Sequence, residues 1–397
     1  MAPRETVRRL AAFAGRGPCT DAERRAAAWA RDALRARGRA ARLETAWVRP
    51  QWPAVHAAHA TLGVAGSLLA TKYAVAGLAV LAVTLVSTAG ELTGRLRIAS
   101  LLWPRRATQC VVSEPAGAMT GRIRLVIAAS LDAGRTGAAF TGPWARGWAA
   151  ARRALRGHLS SPLAAMALAL TILTAVAIVR VAAGGTSTLN VIALVPTVLL
   201  IIAFGALTDI GLSPPSPGAN RNASGVAVAL ALAAELDRVP PRHLAVEVVL
   251  AGAGEGGHAG LRRYVGRRRR EWSREDVALL AIGPCGAGSP CYFVSEGELP
   301  PLRLHPQLVG AAERIAIGEA HLGARAARRG DTGAVVGRRA RWPALGVACA
   351  GHDGRAARER TDADVEDVID DRAMAAALEL CLGIVGELDR ELAQRLG

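Results

Sequence analysis

The chain has 397 residues, 51% hydrophobic and 21% charged, with 4% aromatic and a formal net charge of +16. That apolar share excludes a disordered chain, and a prior of about 150 residues per unit allows two or three globular units. Six cysteines, none in a Cys-x-x-Cys pair, exclude a disulfide framework and a zinc ribbon.

Lys72 is the only lysine, so the positive charge is carried by arginine spread along the chain, with one dense run, Arg267 to Arg270, in RRYVGRRRREW. A nucleic-acid surface would interleave such clusters with stacking aromatics, which are scarce here. No nucleic-acid partner is expected. The run reads as a solvated helix end or as a contact for anionic lipid headgroups.

In chain order, a helical pattern over residues 20–37 comes first, within a polar opening that is no signal peptide. Residues 53–90 then carry a single charge, Lys72, at their centre. As one helix they would run about 57 Å, against a hydrocarbon core of ~30 Å, so they read as two spans, 54–71 and 73–90, turning at Lys72. Apolar runs at 109–113 and 122–129 read as strands. Residues 160–208 carry one charge, Arg180, and break at GGTSTLN, giving spans over Pro162–Ala183 and 189–208. Arg180, near a helix end, is expected to snorkel to the interface. After this come helix 225–236, strand 245–251, helix 258–272, strand Val277–Ile282, helix 305–328, strand 344–348 and a terminal helix, Asp371–Leu396.

Apolar strands alternating with helices predict one α/β domain, a mostly parallel central sheet flanked by helices, assembled from residues 1–52, 91–159 and 209–397 and interrupted by transmembrane hairpins at 53–90 and 160–208. The flanks carry Arg49, Arg95, Arg97, Arg105, Arg106, Arg146, Arg152, Arg153 and Arg156, whereas the turns offer only Lys72. The positive-inside rule therefore predicts a multi-pass protein of the cell membrane, with its α/β domain and both termini cytoplasmic and the lipid bilayer as a partner. Unpaired cysteines fit a reducing compartment.

In such sheets chemistry sits beyond the carboxyl ends of strands. Four segments there, RLVIAASLDAGRTG, SPGANRNASGVAVALALAAEL, EVVLAGAGEGGHAGLRRYV and RTDADVEDVID, taken in order, resemble the co-catalytic zinc aminopeptidases (peptidase family M twenty-eight, bacterial leucyl-aminopeptidase type). The opening GRGPCTDAERRAAAWARDALRARG resembles that family's first helix, so the likeness covers essentially all the residues outside the hairpins. It implies an α/β exopeptidase fold in which His and carboxylate ligands hold two zinc ions and a glutamate acts as general base.

Carried over residue by residue, the resemblance puts Ser130 at the first ligand histidine, Arg221 at the metal-bridging aspartate, Gly254 at the general base, Gly283 at a further ligand aspartate and Arg360 at the last ligand histidine. Glu255 keeps a ligand position, and Asp132 keeps the carboxylate that orients a histidine. Guanidinium groups do not lose their proton at usable pH and would repel zinc. The expectation is a membrane-anchored pseudopeptidase with no cofactor and a binding or scaffolding role. Arg221, Arg360, Asp132 and Ser130 line its cleft, the two arginines bridge to its carboxylates, and a peptide or an anionic small molecule is the ligand class. The alternative is an active metallopeptidase with a single zinc rebuilt on Glu255, His258 and His352, His258 sharing a helical face with Glu255. Asn220 and Asn222 are expected to act as helix N-caps.

Overall fold

A computed structural model describes residues 2–115, 123–154, 161–351 and 355–396. Arg122, Arg156 and His352 lie outside the described residues. The opening half runs α1 (Pro3–Ala11), α2 (Asp21–Arg35), β1 (Ala41–Val48), α3 (Trp52–Lys72), α4 (Ala74–Thr93), β2 (Arg106–Ser113), β3 (Ile123–Ser130), α5 (Gly142–Ala154), α6 (Pro162–Ala183) and α7 (Ser187–Leu212). The remainder runs α8 (Gly225–Arg238), β4 (Leu244–Ala251), α9 (Ala259–Arg268), β5 (Val277–Ile282), β6 (Ser289–Phe293), β7 (Ser295–Glu296), β8 (Leu302–Arg303), α10 (Pro306–Gly318), β9 (Arg325–Ala327), α11 (Ala334–Arg339), β10 (Ala344–Ala350) and α12 (Asp371–Leu396).

Eight strands form one sheet in the order β1-β2-β4-β3-β5-β10-β6-β9. The middle four, β4, β3, β5 and β10, are parallel, and β1, β2 and β6 add antiparallel pairings toward the two edges. Every residue of β4, β5 and β10 is buried, which is why those strands read as unbroken apolar runs rather than as alternating ones. Helices cover both faces. Leu279 of β5 meets Gly337 of α11, while its neighbours Ala278 and Leu280 line the layer made with Leu308 of α10 and Ile384 of α12.

The expected strands and helices are present with shifted ends, and two local readings change. The helix expected over 305–328 stops at Gly318, and Arg325–Ala327 instead pairs with β6 at the sheet edge. Helix α9 begins at Ala259, so Glu255 sits in the preceding turn and shares no helical face with His258.

Both helical hairpins are insertions in this sheet domain: α3 and α4 lie between β1 and β2, and α6 and α7 lie between β3 and β4. They pack on one another around Leu81, Leu170, Leu173 and Leu200. A Cβ at Gly77 of α4 would fall onto the Ala70 backbone of α3, so the first hairpin depends on a bare backbone at this crossing. Three of the four helices, Ala74–Thr93, Pro162–Ala183 and Ser187–Leu212, are long and apolar enough to cross a membrane. The helix over the first expected span, 54–71, runs Trp52–Lys72 and falls short in hydropathy because it carries His56, His59, Thr61 and Ser67. Arg180 lies in the last turn of α6. It is buried, and its Nη2 donates to Asn190 Oδ1 at 2.7 Å across the hairpin.

Candidate functional site

The parallel strands end together, and four buried carboxylates shape the loops that follow by accepting backbone amides. Asp132, just past β3, accepts from Gly254 N (2.6 Å) and Glu255 N (3.0 Å). Asp364 accepts from Asn220 N (2.6 Å) and Arg221 N (3.1 Å). Glu296 accepts from Thr332 N and Val335 N, both at 3.0 Å, and so fixes the loop that carries Asp331. Glu23 of α2 accepts from Ala253 N (2.6 Å), Cys19 N (2.9 Å) and the Thr108 hydroxyl (2.8 Å). Burial raises Asp132, with Glu255 adding to the shift, to about 6, and burial raises Asp364 to about 6. Glu23 rises to about 8, from burial first and the Asp132 charge second. Amides aimed at each carboxylate oppose these shifts.

This scaffolding aims Arg221 into the middle of the cleft. Its Nε donates to Glu255 Oε1 (2.6 Å), its Nη1 to Glu359 Oε1 (2.5 Å) and its Nη2 to Asp331 Oδ2 (2.9 Å). Arg360 Nη2 donates to the other oxygen of Glu255, and its guanidinium lies over the rings of Trp52 (5.5 Å) and Phe140 (5.1 Å). Trp52 opens α3, so the helical bundle supplies one wall of the cleft. His258 Nε2 pairs with Asp331 Oδ1 at 2.9 Å, which ties His258 to Arg221 through a shared carboxylate.

Burial disfavours the Glu255 carboxylate, yet Arg221 and then Arg360 outweigh it and hold the group below its usual range. Burial likewise opposes charge on His258 and on Asp331. Their mutual hydrogen bond wins in both, raising the imidazole and lowering the carboxyl. The Asp331 side chain is 59% exposed at its solvent edge, so its ion pairs count for less than that between Arg221 and Glu255, 7% and 3% exposed.

The structure brings Ser130, Asp132, Arg221, Gly254, Glu255 and Arg360 together. Both arginines bridge to Glu255, but Asp132 is held by amides rather than by guanidinium. Gly254 leaves no room for a general base: a Cβ there would fall onto Ser130 Oγ. Gly283 packs instead against Thr332 and Ala348. Asn220 and Asn222 are not caps. Asn220 Oδ1 accepts from Gly286 N (2.9 Å), Asn222 donates to the Asp132 carbonyl, and Ser224 at the N-cap of α8 makes no side-chain cap bond. Asn222 (φ 78°), Ala253 (φ 49°), His258 (φ 54°) and Arg360 (φ 58°) all hold left-handed backbone around this cleft, a strain of about 1–3 kcal/mol each that the packed loops sustain.

Sequence reading missed Asp331, Glu359, Asp364, Glu296 and Glu23. Asp364 alone carried a local signal, lying four residues after Arg360 in the late motif.

Zinc does not fit at Glu255, since both of its oxygens accept from cations and no histidine faces it among the described residues. The rebuilt site on Glu255, His258 and His352 is not assembled by the described part: His258 turns to Asp331, and His352 lies outside it. Among the described residues, the group of three metal-type side chains within reach of one another is Glu319, His321 and Glu379, all exposed and away from the strand ends.

No protein-family profile and no curated sequence matches the chain. Solved structures do match. A zinc aminopeptidase from Bacillus subtilis superposes with a TM-score of 0.56 at 11% identity, covering 97% of this chain and 94% of that one. A glutaminyl cyclase from Porphyromonas gingivalis gives 0.54 at 13%, covering 98% and 97%. A Zn-dependent exopeptidase from Parabacteroides distasonis gives 0.50 at 13%, covering 98% and 96%. Two of these neighbours are zinc enzymes by name, which overturns the expectation of a fold without a cofactor. At these identities the likeness establishes the fold, that of bacterial zinc aminopeptidases and glutaminyl cyclases.

Proposed function

We propose that the chain is a membrane-embedded, multi-pass protein of the co-catalytic zinc aminopeptidase type whose cleft has been converted from peptide hydrolysis to binding or scaffolding, with its α/β domain on the cytoplasmic side. The observation that carries this reading is Arg221: all three guanidinium nitrogens engage carboxylates at the place the resemblance gives to the metal-bridging group. A charge-assisted fork of this kind joins three loops as metal ligation would, but it offers neither a polarising cation for a carbonyl nor a free base for water. Arg221 and Arg360 are the recognition groups. An anionic ligand, such as a peptide carboxylate, reaches Arg221 by displacing the exposed Asp331, while Ser130 and Asp132 form the floor. Three membrane-length helices and the contact of Trp52 with Arg360 support a bundle coupled to the cleft.

The test is hydrolysis of leucine p-nitroanilide by the full chain purified in detergent, with zinc supplied in excess. Turnover indistinguishable from the blank, in wild type and in Glu255→Gln alike, is expected. Zinc-dependent turnover that Glu255→Gln abolishes would overturn the proposal.

A further inference from the structure

The chain leaving α4 gathers arginines on three elements. Arg95 and Arg97 follow the left-handed C-cap Gly94, Arg262 and Arg263 lie in the first turns of α9, and Arg339 ends α11. Arg339 Nη2 donates to the Leu92 carbonyl at 3.2 Å, which pins the group to the last turn of a helix of membrane-crossing length. A Cβ built on Gly257 would lie 3.4 Å from Arg97 Nη2 and 3.5 Å from Arg262 Nη1, so these two guanidinium groups flank one glycine.

The acid facing them is Glu91. Its Oε2 stands 3.9 Å from Arg97 Nε, and its Oε1 is occupied by Ser100 N at 2.9 Å. The charge of Glu298, which accepts from the Ser161 hydroxyl, also acts on Arg339. Arg97 Nε and Arg262 Nη1 are buried and make no hydrogen bond. Burial first, then Arg97 and Arg339, lowers the Arg262 guanidinium well below its ordinary value, the mark of cations crowded without enough counter-charge.

Beside this cluster the chain exposes apolar side chains in sequence: Leu96, Ile98, Leu101 and Leu102, the last 82% exposed. Arginines interleaved with exposed aliphatic residues at the end of a long apolar helix have the composition of a segment lying at the boundary between headgroups and acyl chains.

We propose that Arg97, Arg262 and Arg339, rimmed by Arg95 and Arg263, form a binding site for a phosphate group, supplied by the headgroup of an anionic phospholipid at the membrane end of α4. The guanidinium fork matches phosphate oxygens and completes the donors that Glu91 leaves unused. As a lipid site this rests on the membrane-embedded reading given above.

The experiment uses the full chain in an uncharged detergent. Retained phosphatidylglycerol and phosphatidylcholine are compared by native mass spectrometry, and inorganic phosphate is titrated by calorimetry. Phosphatidylglycerol is expected to be retained over phosphatidylcholine. At about fivefold per arginine near a membrane surface, Arg97→Gln with Arg262→Gln should weaken its binding on the order of twentyfold. Arg263→Gln, on the exposed rim, should weaken it about fivefold and serves if the double variant does not fold. Arg269→Gln with Arg270→Gln, beyond the far end of α9, should leave it unchanged. Saturable phosphate binding without lipid preference, lost in the same variants, supports the site and makes free phosphate its source. No binding of either, or binding that the variants leave untouched, overturns the site. Resistance of the wild-type membrane fraction to alkaline carbonate reads the membrane placement separately: a chain released by carbonate that still binds phosphate through these arginines sinks the membrane reading and leaves the site standing.

Discussion

Replacing Arg221 by methionine keeps most of the aliphatic stem and removes three ion-pair arms at once. The Asp331 arm contributes little, because that carboxylate is 59% exposed and exposed pairs contribute ~0–1 kcal/mol. The Glu255 arm decides the outcome: its side chain is 3% exposed, and it would be left with Arg360 alone. Removing one partner of a buried pair costs about 3–5 kcal/mol when the other charge is left uncompensated, and the Arg360 pair that Glu255 keeps holds the cost at the low end of that range. Denaturant unfolding followed by tryptophan fluorescence should show that loss. Arg221→Met with Glu255→Gln should then recover about half or more, since the stranded charge is gone. The pH dependence has a definite sign. In the wild type Glu255 is held below its usual range, so its stabilising contribution is present above its unfolded value of about 4.3 and is lost as pH falls through the folded value. In Arg221→Met burial is opposed by Arg360 only, so the deficit should shrink as the pH is lowered toward about 4. A single-variant loss under about 1 kcal/mol, or a double variant that loses the sum of the two singles, refutes the reasoning.

Two further outcomes follow from the same cleft. The His258 pKa is raised by Asp331, so the stability it contributes is fully present below its unfolded value of about 6.5 and is lost as pH rises through its folded value. The gap in unfolding midpoint between wild type and His258→Gln should therefore be wide near pH 5.5 and narrow by pH 9, and a gap that does not change with pH contradicts this. Gly254→Ala should cost about 1–3 kcal/mol by overpacking against Ser130, with Ser130→Gly in the same chain restoring most of it. A Gly254→Ala variant as stable as wild type would mean that the two loops are not in the contact described.

The sheet was legible where both faces of a strand are buried. Residues 277–282 and 344–348 announce themselves by unbroken apolar runs. Strand β1, with its partly exposed edge and the charges of ARLETAWV, gave no such signal, and β6 is short and begins with Ser-Pro. The helix misread over 305–328 fails where Gly318 ends the turns and Gly323 turns the chain with a left-handed backbone. Within the cleft, the residues at motif positions were readable, while their partners were not. Asp331 lies 110 residues and Glu359 138 residues from Arg221 along the chain, and neither stands in a pattern that differs from an ordinary solvated loop.

The sequence by itself determined the composition of each element: which segments are apolar enough for the sheet or for a bilayer, and that arginine stands at 221 and 360. Period and hydrophobicity are local properties, and charge type is written in the residue itself. Only the tertiary structure decided what those arginines do. It pairs both with Glu255, brings in Asp331 and Glu359, stacks Arg360 on Trp52 at the start of the helical bundle, and gathers a second set of arginines at the end of α4. An ion pair exists only when the fold delivers an opposite charge to within a few ångströms and removes the water between, and no local pattern in the chain encodes that delivery.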